Sequence, residues 1–226
     1  MEEYLLETRQ LGKCFGSGER EFWVLKDLNV TIPRGKLTIL KGRSGSGKTT
    51  LMNQLGALDT PSTGDVLLEG RSILGMSDKE KTDLRRKKMG FVFQSVALMP
   101  MMTARENVEL ALRLAGIRED RRARVEECLG MVGLSKRADH FPQEMSGGEQ
   151  QRVAIARAVA HKPLLILADE PTAELDTDTG LKVMRIFREL CEKEGVTVIM
   201  TTHDQGLMEL ADLAYELSDG QAVRHE

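Results

Sequence analysis

The sequence predicts an α/β fold: a mainly parallel sheet with antiparallel strands in its N-terminal part and an inserted helical segment. Three observations lead there. Short β-branched or leucine-rich runs alternate with helical patterns, as they do in chains that bury a parallel sheet between helices. One such run, Leu37-Thr38-Ile39-Leu40, leads into a glycine-rich turn. The stretch from Ser95 to Met145, finally, holds two amphipathic helices with no strand between them.

In chain order, Tyr4-Leu5-Leu6 and Leu28-Asn29-Val30-Thr31-Ile32 predict antiparallel strands around a turn at Gly16-Ser17-Gly18. Leu37 to Leu40 is a strand, and a helix starts near Lys48 beyond the glycine-rich turn. Within the inserted stretch, Val108, Ala111, Leu112 and Ala115 fall at i, i+3, i+4 and i+7, as do Val125, Cys128, Leu129 and Val132; that spacing is one face of a helix. Ser146 is a good N-cap for a further long helix. Leu164 to Ala168 and Val196 to Met200 are buried strands, the second stopping at Thr201-Thr202-His203-Asp204. The 226 residues form one domain, 1–226, long enough to bury a real core. Residues 1–94 and 146–226 make the core and 95–145 a helical subdomain.

Composition narrows the function classes. The chain is 41% hydrophobic and 30% charged, the balance of a soluble globular protein. A formal charge of −3 gives no general reason to expect nucleic acid. The basic clusters Arg85-Arg86-Lys87-Lys88 and Arg118 to Arg124 are flanked by acids and read as solvated helix faces. Cys14, Cys128 and Cys191 form no CxxC and no metal-like cluster, which fits a reducing compartment and idle thiols. Met-Glu-Glu-Tyr at the start lacks the basic-then-apolar form of a signal peptide, and no stretch approaches the roughly 18 apolar residues that span a bilayer. The expectation is a chain without membrane insertion of its own, serving a membrane only through another polypeptide.

The run Leu165 to Ala168 ends on two adjacent carboxylates, Asp169 and Glu170, followed by Pro171. An unpaired carboxylate beside a core is costly, so a cationic group should face this pair. Gly42-Arg43-Ser44-Gly45-Ser46-Gly47-Lys48-Thr49 supplies it, matching GxxxxGK[ST] directly after a strand. The glycines let backbone N–H groups converge on an anion, and the helix behind them turns its positive end on the same phosphates. In a P-loop NTPase core, Lys48 reaches the β- and γ-phosphates, Thr49 offers its hydroxyl to Mg²⁺, and an acid on a neighbouring strand holds that ion. Asp169 fits the last role, which leaves Glu170 free to act as general base on water. His203 closes the third strand within reach of a γ-phosphate, and Gln94 follows Phe91-Val92-Phe93; taken alone, each reads equally as an ordinary structural or loop residue. Ser146-Gly147-Gly148-Glu149 begins a long helix with exposed N–H groups, a second anion site in a chain with one P-loop. It makes most sense if it serves nucleotide held by another copy of the chain.

With these motifs in place, the sequence resembles the ATPase subunit of an ATP-binding cassette (ABC) transporter over about residues 4 to 224. Gly42 to Thr49, with Thr50 beside it, is similar to Walker A, Gln94 to the Q-loop, and Ser146-Gly147-Gly148-Glu149 to the signature. Leu165 to Glu170 resembles Walker B, Ala173 to Asp176 the D-loop, and His203 the switch histidine. The resemblance implies ATP and Mg²⁺ as cofactors, with Thr49, Gln94 and Asp169 toward the metal and Lys48, Gln94, Glu170 and His203 toward catalysis. It implies a head-to-tail homodimer enclosing two ATP, each between one copy's Walker A and the other's Ser146, Gly147 and Gly148, with Glu149 and Asp176 close by. Phe15 falls where the family stacks an aromatic ring on adenine, with Val24 beside it. The stretches "LMNQLGALDTPSTGDV", "FVFQSVALMPMMTARENVEL" and "LADEPTAELD" resemble the lipoprotein-releasing and macrolide-exporter group. That resemblance implies an integral membrane permease with a large extracytoplasmic domain as partner, and a place at the cytoplasmic face of the inner or plasma membrane. The apolar stretch Val96 to Met102 is then an expected lining of the permease's docking groove.

Some positions depart from the family. Phe15 stands where tyrosine is commoner, Met145 and Glu149 replace leucine and glutamine, and Glu174 is unusual in the D-loop. The alternative is a soluble ABC ATPase, such as an iron–sulfur assembly ATPase. A regulatory module without turnover is disfavoured by the presence of both Glu170 and His203.

Overall fold

The computed structural model describes residues 4–204 and 206–225, the side chain of Glu19 excepted; Met1-Glu2-Glu3, read above for a signal peptide, lie outside them. Strand β1 (Tyr4–Phe15) has two sets of partners along its length. Its C-terminal half pairs antiparallel with β2 (Phe22–Leu28), its N-terminal half with β3 (Thr31–Pro33). The run from Leu28 to Ile32, expected to be one strand, is therefore broken. Asp27 sits in the left-handed region at φ 52°, and Asn29 donates to the Asp27 carbonyl while accepting from the Gln10 amide. These local bonds compete with the ladder and bend the chain between β2 and β3.

Next come β4 (Leu37–Lys41), α1 (Lys48–Leu55), β5 (Thr63–Leu68), β6 (Arg71–Ser72), α2 (Asp78–Lys88) and β7 (Met89–Val92). They are followed by α3 (Ala104–Leu114), α4 (Arg121–Met131), α5 (Gly147–Val159), β8 (Leu165–Ala168) and α6 (Thr177–Glu194). β9 (Thr197–Thr202), β10 (Leu213–Ser218) and β11 (Gln221–His225) complete the chain. One sheet runs β2-β1-β5-β6, with β3 also on β1; the other runs β11-β10-β4-β9-β8-β7. In the second sheet every pair is parallel except the edge pair β10–β11.

The parallel strands are buried on both faces and their side chains alternate between two cores, the period of two expected of a strand. Ile166, Ala168, Val198 and Met200 join one apolar cluster with Val108 and Leu112 of α3, Val125 and Leu129 of α4, Ile155 of α5 and Phe187 of α6. Leu165, Leu167 and Ile199 join the other, with Leu51 and Leu55 of α1 and Leu5, Leu6 and Leu25 of the antiparallel sheet. Each such side chain, once fully buried, contributes about 1.5–3 kcal/mol. α5 packs against both α3 and α4, and so ties the helical stretch to the sheet.

Of the basic clusters, Arg86 and Lys87 pair with Asp83, and Lys88 with Glu69, on the exposed side of α2. Arg124 departs from the expected solvated face. Its side chain is 10% exposed and donates to the carbonyls of Val159 and Ala160, satisfying acceptors that the end of α5 leaves open. Burial pushes the thiols of Cys128 and Cys191 up to about 11 and about 12, which keeps them unreactive. Among the described residues no helix is long and apolar enough to cross a membrane.

Candidate functional site

Four chain segments leave the parallel sheet at one edge. Lys41 is in register with Thr202, Ala168 with Met200, and Val92 with Ala168. The 42–47 loop therefore follows β4, the Asp169–Glu170 pair follows β8, His203 follows β9, and Gln94 lies two residues beyond β7. The carboxyl ends of strands in an open α/β sheet are where ligand crevices form.

Lys48 is buried, and its Nζ donates to the carbonyl oxygens of Gly42 at 2.8 Å and Arg43 at 3.2 Å. The loop thus curls over the ammonium of its own lysine. Two glycines make that possible. Gly47 has φ 99°, and a Cβ there would come within 2.9 Å of Leu25 Cδ2 and 3.2 Å of Val24 Cγ1, so β2 and Val24 back the loop closely. At Gly42 a Cβ would meet the Leu217 carbonyl at 2.6 Å.

Opposite the loop, the two acids face different partners. Asp169 Oδ2 accepts from Thr49 Oγ1 at 2.9 Å, and its Oδ1 from Thr201 Oγ1 at 2.6 Å. Glu170 Oε1 lies 3.4 Å from Lys48 Nζ, while Oε2 lies 3.3 Å from His203 Nδ1. The Glu170 backbone has φ 45°, a conformation non-glycine residues adopt rarely and chiefly where surrounding contacts hold it. Here its amide donates to Thr201 Oγ1 at 2.8 Å. Proline after the acids and this sharp turn together aim one carboxylate at Thr49 and the other at Lys48.

Thr201 is the functional-site residue that sequence reasoning missed. It is fully buried and bonds both acids' segments. The apolar run predicts a strand that stops at Met200, whereas β9 continues through Thr202; the threonine pair directly before His203 is the signal for the longer strand. Asp169, with the Thr49 hydroxyl, forms a hard oxygen donor set, which suits Mg²⁺. Among the described residues, Ser46 Oγ is buried without a partner, a loose donor inside the phosphate loop. Both observations fit a nucleotide with its metal.

Glu170, Ala173, Asp176, His203 and Leu207 line one cavity of about 400 Å³. Asp176 is the N-cap of α6, accepting from the Thr179 amide at 3.0 Å, and the hydroxyl of Thr179 together with that amide holds its carboxyl below the usual range. Phe15 is 39% exposed and stacks on Phe22 with ring centroids 6.0 Å apart. Lys13 Nζ lies 5.1 Å from the centroid of the Phe15 ring. Gln94 and Thr50 lie on the surface side of this edge, exposed and half-buried respectively.

Ser146 to Glu149 stand apart from this group. Ser146 caps α5: its Oγ accepts from the Glu149 amide at 3.3 Å, and Glu149 Oε2 accepts from the Ser146 amide at 2.9 Å, a capping box. Arg137 Nε donates to Glu149 Oε1 at 3.1 Å. A Cβ on Gly148 would come within 2.5 Å of Thr179 Cγ2, so the start of α5 rests on the start of α6, next to Asp176. Among the described residues, Ser146 and Glu149 make no hydrogen bond to the 42–49 loop. The structure thus brings Lys48, Thr49, Asp169, Glu170 and His203 together and leaves the glycine-rich start of α5 elsewhere on the same chain.

Comparison with known proteins gives the following. The ABC transporter family profile matches residues 25–173. An uncharacterized ABC transporter ATP-binding protein of Methanocaldococcus jannaschii is 45% identical over 220 residues, covering 97% of this chain and 98% of its own length. The macrolide export ATP-binding/permease protein MacB of Agrobacterium fabrum is 44% identical over 227 residues, covering all of this chain and 35% of that protein. Among solved structures, the dimeric post-hydrolysis state of the ATP-binding cassette MJ0796 of M. jannaschii, bound to ADP and Pi, is similar at a TM-score of 0.89 and 42% identity. It covers 98% of this chain and 97% of that one.

Proposed function

We infer that this chain, which belongs to the ABC transporter family, is the ATP-hydrolysing subunit that drives a separate membrane permease. The single observation that carries the reading is the row Lys48–Glu170–His203, with Glu170 held 3.4 Å from one and 3.3 Å from the other. That row stands directly beside the Thr49–Asp169 oxygen pair.

In this reading the 42–47 loop and the start of α1 bind the phosphates through backbone N–H groups. Lys48 turns its ammonium from the loop carbonyls toward the β- and γ-phosphates. Thr49 and Asp169 would hold Mg²⁺, with Gln94 as a further ligand; when bound, the metal would offset the phosphate charge. Glu170 takes a proton from the attacking water, and His203, against its second oxygen, fixes the carboxylate and meets the γ-phosphate from the far side. ADP and phosphate leave. Ser146, Gly147 and Gly148 serve the nucleotide of a second copy, which makes the working unit a head-to-tail homodimer around two ATP. The dimeric form of the similar cassette supports this arrangement, as does the lack, among the described residues, of any hydrogen bond from Ser146 or Glu149 to the chain's own loop.

The partner we propose is an integral membrane permease of the macrolide-exporter type, with a large extracytoplasmic domain. The relative that joins an ATP-binding part of this chain's length to a permease in one polypeptide supports it. The chain then works at the cytoplasmic face of the membrane, held there by the permease. Turnover measured across a dilution series tests the shared site. Activity per molecule should rise with protein concentration and saturate as the dimer fills. A rate per molecule independent of concentration, for a protein that stays monomeric with ATP, would overturn the two-copy site.

A further inference from the structure

We propose that Arg157 is a positioning residue for Gln94: it bonds two consecutive left-handed residues of the following loop and fixes that loop to α5. The proposal rests on the reading that Gln94 serves the metal or the attacking water, and its test separates the two.

The loop after Gln94 is strained where no glycine relieves it. Val96 has φ 57° and Ala97 φ 50°. Left-handed backbone is uncommon for any residue with a Cβ, and for a β-branched residue it is a genuine outlier. The loop's own bonds are few: the Val96 amide donates to the Phe93 carbonyl at 3.1 Å and the Ala97 amide to the Ser95 carbonyl at 2.5 Å. Both remaining carbonyls of the strained pair are taken by one side chain. Arg157 donates from one terminal nitrogen to the Ala97 oxygen at 2.6 Å and from the other to the Val96 oxygen at 3.2 Å. The fork of a guanidinium suits two adjacent acceptors, which a lysine could meet only one at a time. Burial pulls the Arg157 guanidinium down, with no charged neighbour among the described residues to offset it. An arginine that leaves water for two carbonyls, without a carboxylate partner among the described residues, is placed for geometry.

The next part of the segment is fixed from α3. Asn107 is fully buried, accepts from the Met99 amide at 2.8 Å, and donates to the carbonyls of Met99, Met102 and Thr103 at 3.0–3.1 Å. From Val96 to Thr103 the chain is thus bolted to α3 and α5. β7 ends at Val92, and Gln94 and Ser95 are exposed. The pivot between sheet and helices is confined to Phe93, Gln94 and Ser95. Arg157 lies ten residues after Gly147, about 15 Å along α5. One helix therefore carries the Ser146 surface at its start and the clamp on the loop after its own chain's Gln94 near its end, so a shift of α5 is passed to the residues that directly follow Gln94.

The test uses the purified full chain and measures ATP turnover, thermal melting and amide hydrogen exchange over residues 95–103. Arg157→Met keeps an unbranched apolar stem and loses both donors. It should lower kcat by between about tenfold and a hundredfold, the cost of a misplaced catalytic group. KM for ATP and the melting temperature should stay near wild type, and exchange over 95–103 should rise. Arg157→Met added to Gln94→Ala should cost nothing further, because the arginine acts through the glutamine. Ala97→Gly, at an exposed position that glycine adopts freely, should leave wild-type turnover unchanged and restore part of the Arg157→Met loss. Independent, multiplying losses from Arg157→Met and Gln94→Ala would overturn the proposal, as would an unchanged kcat in Arg157→Met. If Gln94→Ala itself leaves kcat unchanged, the Gln94 reading fails, and unchanged exchange in Arg157→Met would then overturn the clamp as well. Should Arg157→Met not fold, Arg157→Lys replaces it, with an intermediate loss of kcat expected and no loss overturning the proposal.

Discussion

Arg137 donates to one carboxylate oxygen of Glu149 while the other accepts from the amide of Ser146. Glutamine is the family's commoner residue at this position, and a glutamate there puts a negative charge on the helix start proposed to meet the partner copy's phosphate. The Ser146 amide and Arg137 hold the Glu149 carboxyl below its ordinary range, so it stays charged and the guanidinium offsets it. Arg137→Ala should therefore weaken ATP-driven dimerisation, by up to about fivefold for a partly exposed pair worth at most about 1 kcal/mol. Glu149→Gln should restore it, and high salt should shrink the difference. Sedimentation velocity with ATP in a Glu170→Gln background checks this; a loss that Glu149→Gln does not restore would reject charge neutralisation.

Glu170→Gln should leave ATP binding intact and reduce hydrolysis by about 10²–10⁴-fold, the usual contribution of a positioned base. Lys48→Ala should instead weaken binding itself, because it removes the ammonium that the loop holds over the phosphate site. Nucleotide affinity by calorimetry together with turnover separates the two roles. A Glu170→Gln protein that turns over near the wild-type rate would sink the base assignment.

Ser146→Arg should act on the partner's nucleotide. It breaks the α5 cap, at a cost of about 1 kcal/mol to the fold, and places bulk and charge on the shared surface, while its own Lys48 loop is untouched. Monomer affinity for ATP should hold, and dimerisation and turnover should collapse. Mixing this variant with Lys48→Ala should recover part of the activity, since each mixed dimer keeps one intact composite site. No recovery would contradict the head-to-tail arrangement.

Acid should destabilise the fold through His161. Its Nε2 lies 3.0 Å from the Met89 carbonyl oxygen, and burial, partly offset by that carbonyl, pulls its pKa below the ordinary 6.5. The folded protein thus resists protonation while the unfolded chain accepts it. Stability from this group is intact above the unfolded value and falls as pH drops through and below it. Melting curves at pH 7.5 and 5.5 should show a smaller shift for His161→Gln than for wild type. Equal shifts would assign the acid sensitivity to other groups.

The sheet edge was legible because its signals are local. Strand, glycine loop and Lys48-Thr49 are contiguous, and so are Leu165 to Glu170 and Thr197 to His203. What escaped depends on pairings distant in sequence. Nothing near Thr201 announces that Asp169, more than thirty residues earlier, receives its hydroxyl. The break between β2 and β3 follows from Gln10 reaching Asn29, and the burial of Arg124 from the end of α5 needing a donor. α2 has no buried residue at all, so it offers no apolar stripe to read; only its Ser77–Glu80 capping box marks it.

The docking surface is the last prediction. The stretch Val96 to Met102, expected as an apolar lining, divides in the structure. Val96 and Leu98 pack against the core, while Met99 is 47% and Met101 84% exposed. Asn107 pins the backbone on both sides of Met101, so the methionines stand out from a fixed support. Flexible, polarizable side chains on such a support suit a partner helix. Met99→Asp with Met101→Asp should spare ATP turnover of the purified chain and abolish capture of the co-expressed permease, because a charge would be driven into an apolar contact. Leu98→Asp should do the opposite, lowering the melting temperature through the core. Unchanged permease capture by the double methionine variant would remove this surface from the interface.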